Sequence, residues 1–145
     1  RGAARVYAVD VGSDQMHPRV AADPRVVDLE RTDARHLDPT LIREVPHLIV
    51  CDASFIGLAK VLPVPLRLAG PGADLVTLVK PQFEADRPGG AGKKGVVKDP
   101  EAHAAAVASV SDWLGGIGWS VRATTESPIT GGDGNVEFLL WASKP

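Results

Sequence analysis

Two short apolar runs, each closed by a charged residue and a turn, constrain this chain more than any other feature. Leu48-Ile-Val-Cys-Asp-Ala-Ser-Phe-Ile56 holds four apolar residues, then an acid, then a turn. Such a run reads as a strand buried on both faces, whose carboxyl end delivers Asp52 into the crevice where open parallel sheets place their ligands. Asp74-Leu-Val-Thr-Leu-Val-Lys-Pro81 repeats the plan and ends in a cation stopped by proline, which cannot donate to a ladder. Asp52 and Lys80 are therefore expected at the same edge of neighbouring strands in an α/β fold.

The 145 residues amount to one domain by length, able to bury roughly two-thirds of the unfolded surface. A formal charge of -2 gives no global attraction to nucleic acid or to a membrane surface, so any RNA contact must be local. Cys51 is the single cysteine and lies inside an apolar run, which predicts a buried, inert thiol and fits a reducing, cytoplasmic setting. No apolar run approaches the ~20 residues of a membrane span, and Arg1-Gly-Ala-Ala-Arg5 leads into a strand-length run rather than a secretory signal. The abrupt entry into a strand without an initiator methionine predicts a longer parent protein.

Arg5-Val-Tyr-Ala-Val-Asp10 is a third strand with a polar tip, followed by a turn at Val11-Gly-Ser13. An acid there either accepts hydrogen bonds from nucleoside ribose hydroxyls or caps the next element. Gln15 to Ala22 predicts a short helix interrupted at Pro18, and Val26 to Glu30 an edge strand. Asp33 either receives an adenine amino group or pairs with Arg31 or Arg35. Asp38-Pro39 opens a helical turn over Thr40 to Val45. Ile56 to Ala69 has a helical stripe kinked by Pro63 and Pro65.

Residues 81–98 lack periodicity, and Gly89-Gly-Ala-Gly-Lys-Lys-Gly95 makes the stretch locally basic. It is either a solvated loop or a site where Lys93, Lys94 and Lys98 meet phosphates; its spacing does not match a nucleotide-hydrolase phosphate loop. Asp99-Pro100-Glu101 starts a helix with a core stripe of Val107, Val110, Leu114 and Ile117, flanked by Ala106 and Trp113, and with His103 on the surface. Ser120 to Thr125 alternates as a half-buried strand. A final strand spans Val136 to Ala142, with Glu137 an acid that must lie at the rim or pair with a cation. Asp52, Lys80 and Glu137 then fall at three strand mouths, as a structural ion pair or as a lysine aimed by two carboxylates.

The phrases Val9-Asp-Val-Gly12, Val26-Val-Asp-Leu-Glu-Arg-Thr32, Asp52-Ala-Ser-Phe-Ile56, Val79-Lys-Pro-Gln-Phe-Glu84, Gly95-Val-Val-Lys-Asp-Pro100, Ser127-Pro-Ile-Thr-Gly131 and Gly134-Asn-Val-Glu-Phe-Leu-Leu-Trp141 together resemble the TlyA, or haemolysin A-like, family of rRNA methyltransferases. The resemblance covers essentially the whole chain. It implies a Rossmann-like, S-adenosylmethionine-dependent methyltransferase fold, mostly parallel with an antiparallel last strand. It also implies ribose 2′-O-methylation of cytidine in ribosomal RNA, with no metal. Matched by motif, Asp52, Lys80 and Glu137 are members of a Lys-Asp-Lys-Glu tetrad. Asp10, Val11, Asp33, Ala34 and Asp52 line the cofactor.

By the same resemblance, residues 1–145 are a partial FtsJ-type methyltransferase domain. The tetrad's first lysine, the first strand with its glycine-rich cofactor loop, and an N-terminal RNA-binding domain are expected upstream of Arg1, so activity is expected of the parent protein. That first strand is expected between the strands ending at Asp10 and Asp52. The Gly12-Ser-Asp14 turn departs from the Gly-Tyr-Gly of the family pattern. A different class of reading makes the chain a non-catalytic RNA- or ribosome-binding module. The haemolysin name raises membrane lysis, which no amphipathic or spanning segment supports.

Overall fold

Strand pairing divides the described residues into two sheets. The computed structural model describes residues 2–84 and 96–145, and the chain groups into two units, Arg1–Glu44 and Val45–Pro145. In the first unit β1 (Val6–Val9) pairs in parallel with β2 (Val26–Leu29), Val6 opposite Val26 and Val9 opposite Leu29. Helix α1 (Pro18–Ala21) lies between them in sequence, and the His17 ring accepts the Arg19 amide at 3.2 Å. Pro18, expected to interrupt a helix, instead begins one, because the missing N–H costs nothing at the first helical position. Asp33 and Asp38 cap 3-10 turns at Ala34–His36 and Pro39–Leu41, so the helical turn expected over Thr40 to Val45 shrinks to the second of these. The Tyr7 hydroxyl bonds Glu44 and closes the unit on itself.

The second unit holds β3 (Leu48–Cys51), β4 (Asp74–Val79), β5 (Ser120–Glu126) and β6 (Phe138–Ser143) in the spatial order β3-β4-β6-β5. β3 and β4 run parallel, while β6 is antiparallel to both of its neighbours. The strands up to β4 thus pair in parallel and β6 closes the sheet antiparallel, the α/β arrangement expected from the sequence. Between β3 and β4 the chain makes α2 (Leu58–Val61) and α3 (Pro63–Leu68), with Pro63 producing the expected break. Pro81 ends β4 and begins α4 (Pro81–Glu84), and α5 (Pro100–Gly116) starts at Asp99, whose carboxylate accepts the Glu101 amide at 2.9 Å.

Leu58, Leu62 and Leu66 of α2 and α3, Val110 and Leu114 of α5, Leu75 and Val79 of β4 and Leu140 of β6 form one apolar core. Truncating any one of these leucines to alanine costs about 2–5 kcal/mol. The helices cover only one face of the sheet. On the other, Val50, Val76 and Trp141 stand in a cross-strand row and are exposed. β3 is therefore half-exposed, not buried on both faces, because among the described residues it pairs with β4 alone and half its side chains point away from the core. β5, expected to be half-buried, is almost wholly exposed: it is an edge strand, and a bulge between Val121 and Ala123 breaks the alternation. Ile117 falls out of the core stripe as the exposed residue after α5. His103 is half-buried, its ring 2.6 Å from the Val97 carbonyl and edge-on to Phe138, rather than a surface residue.

Candidate active site

Register, more than local structure, assembles this site. The parallel ladder ends with Cys51 opposite Thr77, which leaves Asp52 and Ser54 just past the end of β3 and Lys80 just past the end of β4. The antiparallel ladder pairs Val79 with Phe138, and one residue further Lys80 meets Glu137. Lys80 thus emerges from the central strand with one neighbour on each side.

The contacts follow that register. Lys80 Nζ lies 2.6 Å from Asp52 Oδ1, donates to Ser54 Oγ at 3.1 Å, and stands 3.9 Å from Glu137 Oε2. The three residues named from sequence are therefore brought together, in one unit, at the carboxyl ends of β3 and β4. Lys80 and Glu137 are buried, whereas the Asp52 carboxylate opens to solvent. A buried carboxylate must be matched by charge or hydrogen bonds, and Glu137 finds Lys80 and the Gln82 amide at 3.5 Å. Glu137 lies one residue before β6 rather than within it.

Four residues at the site carry no signal in a strand-end reading of the sequence. Ser54 is one, and Gln82 is another. Phe55 is 89% exposed in a left-handed backbone conformation (φ 65°), its ring 5.1 Å from Phe83. A bulky residue at positive φ is strained and marks a position held for a purpose other than local comfort. Glu84 accepts the Leu58 amide at 3.0 Å and so satisfies the first turn of α2; burial pushes its carboxyl above the usual range. Burial likewise pushes the Cys51 thiol up, consistent with an inert sulfhydryl.

Of the residues matched to a cofactor, Asp10, Val11, Asp33 and Ala34 belong to the first unit and Asp52 to the second. Asp10 Oδ1 accepts the Gly12 amide at 2.8 Å, closing the turn after β1, and Oδ2 makes no hydrogen bond among the described residues. That leaves an acceptor suited to vicinal ribose hydroxyls. Val11 is exposed and offers an apolar surface. Asp33 pairs with Arg35 at 2.7 Å and caps the turn that begins at Ala34; the guanidinium holds its carboxyl down at about 2. An adenine amino group would share Asp33 with Arg35. Lys98 is exposed, and Lys93 and Lys94 lie outside the described residues. Among the described residues no group of three His, Cys, Asp or Glu is arranged to hold a metal ion, and no helix is long and apolar enough to cross a membrane.

Comparison with known proteins bears on both halves. Residues 1–144 match the FtsJ-like methyltransferase family. The chain is 48% identical over 141 residues to the 16S/23S rRNA (cytidine-2′-O)-methyltransferase TlyA of Mycobacterium tuberculosis, covering 97% of this chain and 52% of that protein. The chain spans about half the length of the curated relatives it matches. A crystal structure from Lactococcus lactis, provisionally named a hemolysin, superposes with a TM-score of 0.91 at 35% identity, over 99% of this chain and 69% of that one. A SAM-dependent methyltransferase from Methanosarcina mazei, 12% identical, has a TM-score of 0.58 over 97% of this chain and 82% of its own, a likeness of fold alone. With all but one of its 145 residues inside the match, this chain belongs to the FtsJ-like methyltransferase family.

Proposed function

We propose that the protein containing this chain methylates the ribose 2′-hydroxyl of cytidine in ribosomal RNA, using S-adenosylmethionine. The observation that carries this reading is the buried Lys80 ammonium, held at 2.6 Å by Asp52 with Glu137 at 3.9 Å. A ribose hydroxyl is a poor nucleophile until a base accepts its proton. Lys80 in its neutral form does so, with Asp52 and Ser54 orienting two N–H bonds and leaving the lone pair for the hydroxyl. Asp52 and Glu137 then stabilise the ammonium that results. S-adenosylmethionine, when bound, supplies a sulfonium-activated methyl group, so positioning of the acceptor oxygen accounts for much of the remaining rate.

In this reading Asp10 takes the cofactor ribose, Val11, Asp33 and Ala34 take its adenine, and Asp52 lies beside the reacting methyl. Lys93, Lys94 and Lys98 contact RNA phosphates as point charges. Phe55, an exposed aromatic directly after Ser54, offers a face on which an unstacked base can rest. A ribosomal RNA substrate goes with a cytoplasmic protein.

The test uses the full-length protein, labelled S-adenosylmethionine and ribosomal subunits, with mass spectrometry of nucleosides. Expected is 2′-O-methylcytidine, lost in Lys80→Ala with cofactor affinity retained, and cofactor affinity weakened first in Asp10→Ala. Full-length protein that binds rRNA without methylating it would make the chain part of a binding module instead.

A further inference from the structure

Glu137 is held from two sides. On one side Gln82 Nε2 donates to Glu137 Oε2 across 3.5 Å. The orientation of the amide follows from charge, since the reverse would set a carbonyl oxygen against a carboxylate. Gln82 is only 8% exposed, and its Oε1 has no hydrogen-bond partner among the described residues. A buried oxygen left unmatched is destabilising, a penalty that an apolar side chain of the same length would avoid. Packing alone does not explain a glutamine here.

On the other side lies Gly131. A Cβ built on it would overlap Glu137 Oε2, lie 2.6 Å from Cδ and 3.0 Å from Oε1. Its backbone is extended (φ -80°, ψ -167°), a conformation open to any residue, so the absence of a side chain serves Glu137 and not the chain path.

The clamp sets a distance. Lys80 Nζ is within hydrogen-bond reach of Asp52 and Ser54, whereas Glu137 at 3.9 Å is beyond it. A gap of that width admits one oxygen atom about 2.8 Å from both groups. We propose that Gln82 and Gly131 are positioning residues that hold Glu137 at this separation from Lys80, and thereby fix where the oxygen of the methyl-accepting hydroxyl sits. This rests on the methyl-transfer reading above and adds to it two residues that never touch the substrate.

The test uses Gln82→Met, Gln82→Glu and Gly131→Ala in the full-length protein. Methionine keeps the length of the side chain but removes both the donor and the orphaned oxygen. Expected are an unchanged or higher Tm, KM values for cofactor and RNA within about twofold, and kcat lower by about tenfold to hundredfold, the scale of an ångström-sized misplacement. Gln82→Glu adds a second carboxylate beside Glu137, and the acid limb of the pH–rate profile moves to higher pH. Gly131→Ala lowers kcat similarly, because the added methyl displaces the Glu137 carboxylate. Unchanged kcat and pH profile in the Gln82 and Gly131 variants, or losses that follow Tm alone, overturn the proposal. Should the wild-type protein transfer no methyl group, the proposed function falls by itself, and the clamp is then read from crystal structures of the variants: a Lys80 to Glu137 separation still at 3.9 Å in both Gln82→Met and Gly131→Ala overturns it.

Discussion

Lys80 and Asp52 meet at 2.6 Å with unequal burial, the lysine side chain 10% exposed and the aspartate side chain 71%. Water that reaches Asp52 screens the pair, so its worth to stability is small, whereas its geometry at the buried nitrogen is well defined. Asp52→Asn is therefore expected to lower stability by less than about 1 kcal/mol. Lys80→Met, which strips the buried Glu137 of its cation, lowers it by about 3 kcal/mol. Urea unfolding of the two variants checks the order; equal losses would show that Asp52, not Glu137, is the partner that matters energetically.

Glu84 predicts a pH effect of the opposite sign to ordinary acid denaturation. Burial raises its carboxyl above the usual 4.5, so its neutral form is favoured in the fold. The contribution is present below the unfolded value and is lost as pH rises through the folded one. Glu84→Gln keeps an acceptor for the Leu58 amide without the buried charge. The variant should gain on the wild type as pH rises above the ordinary carboxylate range, measured as a difference in urea midpoints. Glu84→Ala, which leaves that amide uncapped, should cost about 1 kcal/mol.

Asp33 titrates the other way. With Arg35 beside it the carboxyl sits at about 2, and Arg35→Ala should return it toward the ordinary 3.8. Its stabilising effect is present above that ordinary value and is lost as pH falls toward 2. Carboxyl-carbon NMR across pH 1.5 to 6 follows the group directly. A midpoint unmoved by the substitution would mean that the turn amide, rather than the guanidinium, holds it down.

Phe55→Ala removes an exposed ring whose main protein contact is Phe83, at a stability cost of about 1 kcal/mol. If a base rests on it, rRNA affinity of the full-length protein falls about tenfold or more while cofactor affinity stays, and Phe55→Trp restores binding. Equal RNA dissociation constants for Phe55→Ala and wild type would remove Phe55 from the substrate surface.

The row Val50, Val76 and Trp141 predicts association of the 145-residue chain by itself, because a contiguous exposed apolar patch is sticky. Val50→Lys should reduce concentration-dependent sedimentation without loss of helical signal. Association that persists in this variant would locate the sticky surface elsewhere.

The Lys80 and Asp52 pairing was legible in sequence because both signals are local: an apolar run, a charge, and a proline or turn that stops the strand. The starts of α5 at Asp99-Pro100 and of the 3-10 turn at Asp38-Pro39 were legible for the same reason. Burial was not. Leu48, Val50 and Ile117 look like core residues in any window, and whether they are covered depends on which faces the helices reach. Pro18 misleads by composition, since proline breaks a helix at its interior and starts one at its first position. Gln82 and Gly131 stand 55 and 6 residues from Glu137, distances in sequence that no local pattern spans, and only the folded sheet brings them to one carboxylate.

The antiparallel closure of β6 on β4 also orders events in time. β3 and β4 can pair, and Lys80 can find Asp52 and Ser54, while the chain is still being made. Glu137 precedes a strand synthesised after every other strand of its sheet, and it reaches Lys80 only when that strand docks in register. A ribosome paused between β5 and β6 thus carries a nascent chain with its lysine anchored on one side only. Docking of β6 then becomes the moment at which Glu137 joins the lysine.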